Sequence, residues 1–195
     1  MDPMEKTDNE LIDEYKDGSQ EALKTLISRH IKRIYQFTYR MTGSAEDAND
    51  ITQETFIKAW KHLGRYNPKK KFVSWLLAIA RNTALDSLKK KKAVVFSALN
   101  GREEDPEGFS FEDTLADIEP LQDEVFGKKE ADKVAEKALA ELPLHFRDII
   151  ILHVYQELTF QEIAEMVKKP LNTVKSLYRR GLIYLKKNSA MHQKG

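Results

Sequence analysis

Apolar side chains recur at three- and four-residue spacing along nearly the whole chain, and strand-like alternation is almost absent. That period gathers one buried stripe if the backbone is helical and scatters it over both faces if it is extended. The chain is therefore expected to be all-α. Residues 93–99, AVVFSAL, form the only short β-like run, and it lacks a partner.

Punctuation residues divide the pattern into helices. Thr7 with Glu10 three residues on reads as a capping box, opening a helix with Leu11, Ile12 and Tyr15 inward. Gly18 can close it in a left-handed cap and Ser19 can open the next. That second helix carries Leu23, Leu26, Ile27, His30, Ile31, Ile34, Tyr35 and Thr38 on one stripe. Gly43 stops it. Ser44, with Asp47 three residues on, starts a third helix, with Ala48, Ile51, Thr52, Thr55, Phe56, Ala59, Trp60 and Leu63 inward. A fourth runs from about Phe72 to Lys92 and is apolar around much of its circumference, so its neighbours must cover most of it.

Residues 96–127 break the rhythm. Gly101, Pro106, Gly108, Pro120 and Gly127 lie among ten acids, which reads as an extended linker. A structureless segment of that length is unusual inside one domain. The chain is therefore divided into a helical domain 1–95, a flexible acidic linker 96–127 and a second helical domain 128–195. Helical signals restart near Lys128, with Ala131, Val134, Ala135, Ala138, Leu139 and Leu142 as one stripe, followed by a helix over Phe146–Tyr155. Thr159 and Glu162 form another capping box, ahead of Phe160, Ile163, Ala164 and Val167. After Lys168-Lys169, Pro170 sits where a first helical turn tolerates it. The last helix is expected to bury Val174, Leu177, Tyr178, Gly181, Leu182 and Leu185. Two short helices joined by a tight turn, the second one basic, make a helix-turn-helix pattern.

The net charge of +1 hides a strong segregation. Residues 1–64 carry a net −3, 65–92 a net +8, 93–127 a net −9 and 128–195 a net +5. A block of +8 in 28 residues suits a polyanion. Within 168–187 there are seven Lys or Arg and no acid. With Val174, Leu177 and Leu182 inward, Asn172, Thr173, Lys175, Ser176, Arg179 and Arg180 face outward. Those side chains reach base edges and phosphates in a major groove.

The other basic block is of a different kind. In Arg65-Tyr66-Asn67-Pro68-Lys69-Lys70-Lys71-Phe72 an aromatic ring flanks three lysines on each side. Cations for the backbone and ring faces for unstacked bases are what a single strand requires. The same residues read equally well as a lysine-capped loop over a core of Tyr66, Phe72 and Trp75. The third helix exposes Glu46, Asp47, Asn49, Asp50, Gln53 and Glu54, a solvated face or a dock for a basic protein surface.

Catalytic signals are missing. His30, His62, His145, His153 and His192 are scattered without metal-ligand spacing, and there is no cysteine, no phosphate-binding glycine loop and no nucleophile elbow. Neither an enzyme nor a cofactor is expected. No run approaches 18 apolar residues, so no membrane insertion is expected. The acidic N-terminus is unlike a secretory signal, and the lack of cysteine fits a reducing cytoplasm.

In order along the chain stand Gly18-Ser19-Gln20-Glu21-Ala22-Leu23, then Ala45-Glu46-Asp47-Ala48-Asn49-Asp50-Ile51-Thr52-Gln53-Glu54-Thr55-Phe56. Phe72-Val73-Ser74-Trp75-Leu76, Ile79-Ala80-Arg81-Asn82 and Asp86 follow. Leu142-Pro143 with Arg147, Glu162-Ile163-Ala164-Glu165 and Thr173-Val174-Lys175-Ser176 complete the series. Together, over about residues 8–187, they resemble the extracytoplasmic-function (group IV) sigma factors of bacterial RNA polymerase, within the sigma-70 family.

The resemblance implies a region 2 bundle that reads the minus-ten element and a region 4 helix-turn-helix that reads the minus-thirty-five element. It implies that Asp47, Asp50, Gln53 and Glu54 bind the β′ clamp helices of core RNA polymerase. It further implies that Tyr66, Asn67, Lys69, Lys70, Lys71, Ser74, Trp75, Arg81 and Asn82 hold the melted non-template strand of promoter DNA, with one base turned out into a pocket. The acidic linker would run towards the active centre, the C-terminal domain would lean on the β flap, and an anti-sigma factor would be a regulatory partner. The chain departs from the family at the glycine of the last turn, here Lys168 or Lys169, and at the glycine before Thr-Val, here Asn172. Asn tolerates the left-handed conformation. Two other classes remain: a stand-alone helix-turn-helix regulator, and an RNA-binding or scaffold protein built on the Lys69–Lys71 loop.

Overall fold

The computed structural model describes residues 6–97 and 130–192, with side chains described for 6–91 and 134–188. Over these residues the chain is all helical. We number the helices α1 (Asp8–Lys16), α2 (Gln20–Thr42), α3 (Ala45–Lys61), α4 (Phe72–Ser97), α5 (Glu130–Ala140), α6 (Leu144–Ile150), α7 (Phe160–Val167) and α8 (Leu171–His192). A 3₁₀ turn, Leu63–Arg65, precedes α4, and a π-helical turn, Ile151–Tyr155, extends α6. The linker expected over 96–127 lies outside the described residues from 98 onward.

The helix ends form as local chemistry dictates. Thr7 and Glu10 make both arms of the capping box on α1. At its other end Gly18 sits at φ 102°, the Gly18 amide donates to the Tyr15 carbonyl (3.0 Å) and the Ser19 amide to the Glu14 carbonyl (2.9 Å). Those two bonds make a Schellman cap, and the positive φ is why the position suits glycine. Ser19 Oγ and Ser44 Oγ then accept from the Ala22 and Asp47 amides, opening α2 and α3.

Two compact units result. One draws its described residues from Met1–Ile34 and Ile51–Pro120, the other from Tyr35–Asp50 and Leu121–Gly195. In the first, Leu11 and Ile12 of α1, Leu26, Ile27 and Ile34 of α2, Phe56 and Ala59 of α3, and Phe72, Leu76, Leu77 and Ala80 of α4 are at most 3 % exposed. Each large apolar side chain so buried contributes about 1.5–3 kcal/mol. α1 is tied to α2 by Asp8, which lies 2.7 Å from Arg29 Nη1 and 2.9 Å from His30 Nε2.

In the second unit Leu139, Leu142, Phe146, Ile149, Ile150, Ile151, Leu152, Ile163 and Val174 form the interior. Arg147 serves it as a carbonyl collector. Its guanidinium donates to Ala140 O, to Leu142 O (3.0 Å) and to Met41 O (2.7 Å). Two of these carbonyls lie at the end of α5, where no intrahelical amide remains to serve them. Gly181 of α8 packs on α6: a Cβ there would lie 2.8 Å from Ile150 Cδ1 and 3.2 Å from Phe146 Cβ.

Four expectations change. Residues 93–97 continue α4 and are not extended. β-branched residues lose only tenths of a kcal/mol in a helix, less than the cost of ending one early. Val134 is 70 % exposed and Leu182 is 42 % exposed, so neither belongs to its buried stripe. Leu182 falls about 80° round α8 from the buried Val174, beside the exposed Lys175. Asn172 sits in the first turn of α8, in ordinary helical conformation, whereas Lys168 takes φ 54°, ψ 47°.

Candidate nucleic-acid interfaces

The C-terminal candidate is built on α7 and α8. Thr159 and Glu162 cap α7 reciprocally. At its other end the Lys168 turn is closed by the Lys169 amide donating to the Ala164 carbonyl at 3.1 Å. Pro170 contributes no amide, but its carbonyl accepts from Thr173 and Val174, so α8 starts without a side-chain cap. Three rings hold the two helices to the π-turn: His153 lies 4.1 Å from Phe160 and 4.9 Å from Tyr178, and Phe160 lies 5.2 Å from Tyr178.

α8 turns Val174 and Gly181 inward and leaves Asn172, Thr173, Lys175, Ser176, Arg179 and Arg180 exposed. At 3.6 residues per turn these six span an arc of about 160° and a length of about 12 Å. That matches the face a helix presents to a major groove. Arg180 stands at its edge, with its guanidinium 5.5 Å from the Phe146 ring centroid, so its charge is steered by the ring.

The N-terminal candidate centres on the loop before α4. Tyr66 is half-buried, its ring edge-on to Phe72 (5.4 Å) and tilted against Trp75 (5.5 Å). Its hydroxyl lies 2.7 Å from the Lys70 carbonyl and 2.9 Å from Asn9 Oδ1. Burial, with Asp8 nearby, pushes the Tyr66 phenol upward, so it stays protonated. Asn67 Oδ1 accepts from the Lys69 amide, an Asx turn that brings Lys69, Lys70 and Lys71 to the surface. The Lys71 carbonyl accepts the first amides of α4, from Ser74 and Trp75. Three cations thus crowd the positive end of a helix dipole, the terminus where cations are least stable and anions most welcome.

Along α4, Ser74, Trp75, Arg81 and Asn82 lie within an arc of about 120°. Asn82 is exposed, Arg81, Ser74 and Trp75 are half-buried, and Ser74 Oγ is buried without a hydrogen-bond partner. On α3, Asp50, Gln53 and Glu54 are exposed and Asp47 is half-buried, again over about 120°. Lys58 Nζ sits 2.6 Å from Glu54 Oε1 and partly neutralises it. Asn9 was not picked out from the sequence: no periodicity connects it to a loop 57 residues away. Among the described residues no group of three or more His, Cys, Asp or Glu is placed to hold a metal ion, and no helix is long and apolar enough to cross a membrane.

A helical bundle with a cationic loop, and a helix-turn-helix with an exposed basic face, define a two-module nucleic-acid-binding protein. Known proteins share this plan. Residues 26–94 match the family described as sigma-70 region 2, and 133–185 match sigma-70, region 4. The ECF RNA polymerase sigma factor SigW of Bacillus subtilis is 30 % identical over 184 residues, covering 94 % of this chain and 97 % of that protein. The sigma factor RpoE of Bartonella quintana, solved with the anti-sigma factor NepR, superimposes with a TM-score of 0.65 at 19 % identity over 85 % of this chain and 94 % of that one. CnrH, solved with the cytosolic domain of CnrY, gives 0.64 at 19 % identity over 94 % and 97 %. The chain belongs to the extracytoplasmic-function group of the sigma-70 family and is an RNA polymerase sigma factor. Matches to both regions, one at each end of the chain, do not favour the stand-alone regulator. Sigma factors as a class act in transcription initiation and are not enzymes.

Proposed function

We propose that the two modules divide promoter recognition, with a domain 1–95 acting on opened minus-ten DNA and a domain 128–195 on duplex minus-thirty-five DNA, joined by the 96–127 linker. The observation that carries this is the placing of Lys69–Lys71 beside half-buried rings at the start of α4. The family membership supplies the context in which such a loop meets a melting promoter. Extruding a base costs a few kcal/mol. Stacking on Tyr66 or Trp75 at about 1–3 kcal/mol per base, and phosphate contacts from the lysines, offset that cost only for a separated strand. Duplex readout falls to Asn172, Thr173, Lys175, Ser176, Arg179 and Arg180. Neither module alone binds tightly at physiological salt, and a tether between them raises affinity only where promoter spacing suits both.

Asp47, Asp50, Gln53 and Glu54 form the proposed contact with the β′ clamp helices of core polymerase, and the C-terminal domain the contact with the β flap. The two solved relatives are each held by a protein partner, for RpoE the anti-sigma factor NepR and for CnrH the cytosolic domain of CnrY, which supports an anti-sigma factor as the regulatory partner here. The place of action is the cytoplasm, where the polymerase is.

Run-off transcription with cognate core polymerase tests the reading. The full chain is expected to direct initiation at sites that core alone ignores. Asp50→Lys with Glu54→Lys is expected to abolish retention of core in pull-down while leaving the helical circular-dichroism signal intact. Core retained equally well by that variant removes the assignment of the α3 face.

A further inference from the structure

Asn9 projects from the first turn of α1 and makes two hydrogen bonds with the loop that follows the 3₁₀ turn. Its Nδ2 donates to the Pro68 carbonyl at 3.1 Å, and its Oδ1 lies 2.9 Å from the Tyr66 hydroxyl. The two contacts need opposite roles, so a side-chain amide satisfies both with one group, and neither a carboxylate nor an ammonium can. The Tyr66 hydroxyl has a single proton for two acceptors, Asn9 Oδ1 and Lys70 O. Asn9, Tyr66 and the Pro68–Lys70 backbone therefore close into one network around the turn that carries the lysines. A cleft of about 550 Å³, lined among others by Thr7, Asp8, Asn9, Arg29, Tyr66 and Phe72, opens beside this network. Asp8 in turn pins α1 to α2 through Arg29 and His30, which gives the brace a fixed base.

We propose that Asn9 is a positioning residue for strand opening: α1 holds the Tyr66–Lys71 loop in the shape that receives the separated DNA strand. The inference rests on the reading of that loop as the strand-binding element and adds to it a residue outside the expected site. The ordering it supplies is preorganisation, since a loop already in its bound shape loses less conformational entropy on binding.

The test uses holoenzyme assembled with the full chain and a promoter carrying 2-aminopurine in the minus-ten element, whose fluorescence rises on unstacking. Asn9→Ala is expected to slow opening about three- to tenfold, the range of one or two modest hydrogen bonds. Core retention and binding to a minus-thirty-five duplex stay unchanged. Tyr66→Phe, which keeps the ring and removes the hydroxyl, is expected to slow opening by a similar factor, and the double variant to be no slower than the worse single one. Asn9→Gln, which can offer the same donor and acceptor, is expected to recover part of the rate, and Asn9→Asp, which keeps only the acceptor, less. Wild-type opening by Asn9→Ala overturns the proposal. So does a loss equal to the change in thermal stability and additive with Tyr66→Phe, which marks a purely structural contact. Lys69, Lys70 and Lys71 changed together to Gln separate the two readings: if that variant opens promoters normally, the loop assignment itself fails, whatever Asn9 does.

Discussion

Asp8 Oδ2 lies 2.9 Å from His30 Nε2, and the His30 ring in turn packs 5.5 Å from the Phe72 ring at the start of α4. One carboxylate thereby links the first helix, the long second helix and the floor of the cationic loop. Arg29 Nη1, 2.7 Å from the other Asp8 oxygen, completes the pair.

Replacing Asp8 tests that link and its pH dependence. Burial acts to raise the Asp8 carboxyl, but the hydrogen bonds and charges of His30 and Arg29 outweigh it and hold the group below its usual range. A depressed folded pKa means stability present above the unfolded value, about 3.9, and lost as pH falls through the folded one. Asp8→Asn is expected to lower urea stability by about 2 kcal/mol at neutral pH. The difference should shrink as pH falls from the unfolded value and vanish only below the folded one. A difference that persists there would place the loss in packing.

Lys168 provides a gain. It occupies the left-handed region at φ 54°, where a side chain costs about 1 kcal/mol relative to glycine. Lys168→Gly is expected to raise the melting temperature of the C-terminal module by several degrees. Lys168→Ala keeps the strained backbone and is expected to leave it nearly unchanged. Equal gains from both would trace the effect to charge. Glu157, at φ 56°, is a second site for the same comparison.

Gly181 runs the other way. Helix propensity alone favours Gly181→Ala by about 1 kcal/mol. The space does not, because the added carbon would meet Ile150 and Phe146 closer than ordinary contact. Overpacking of this kind costs about 1–3 kcal/mol. Ala is therefore expected to be neutral to destabilising, and Val to lower the midpoint of thermal unfolding clearly. Minus-thirty-five binding should fall with it, since Gly181 and the reading face share α8.

The contrast between these positions shows what could be read in advance. Thr7 with Glu10, Ser19, and Thr159 with Glu162 are caps three residues long, and local chemistry decides them wherever the chain goes. The exposed face of α8 follows from period alone once Val174 is buried. Two family glycines are replaced, that of the turn by Lys168 or Lys169 and that before Thr-Val by Asn172, and of these only Lys168 takes a positive φ. Val134 and Leu182 have the right spacing yet are exposed, a fact that resides in tertiary packing. Arg147 reaches a carbonyl 106 residues away, and Asn9 a phenol 57 residues away. No spacing rule contains such pairs, so they are found only by folding the chain.

Lys69, Lys70 and Lys71 trade stability for binding. Cations at a helix N-terminus are opposed by the dipole at about 0.3–1 kcal/mol each. Changing all three to Gln is therefore expected to stabilise the N-terminal module by about 1 kcal/mol while abolishing promoter opening. Each lysine that touches a single-stranded phosphate contributes about 0.7 to the slope of log affinity against log salt, so the slope for opened minus-ten DNA should fall by about 2. Binding to the minus-thirty-five duplex, which these lysines do not touch in this scheme, should keep its slope. A triple variant that loses stability, or keeps the wild-type salt slope, would return the lysines to the role of a solvated loop over an aromatic core.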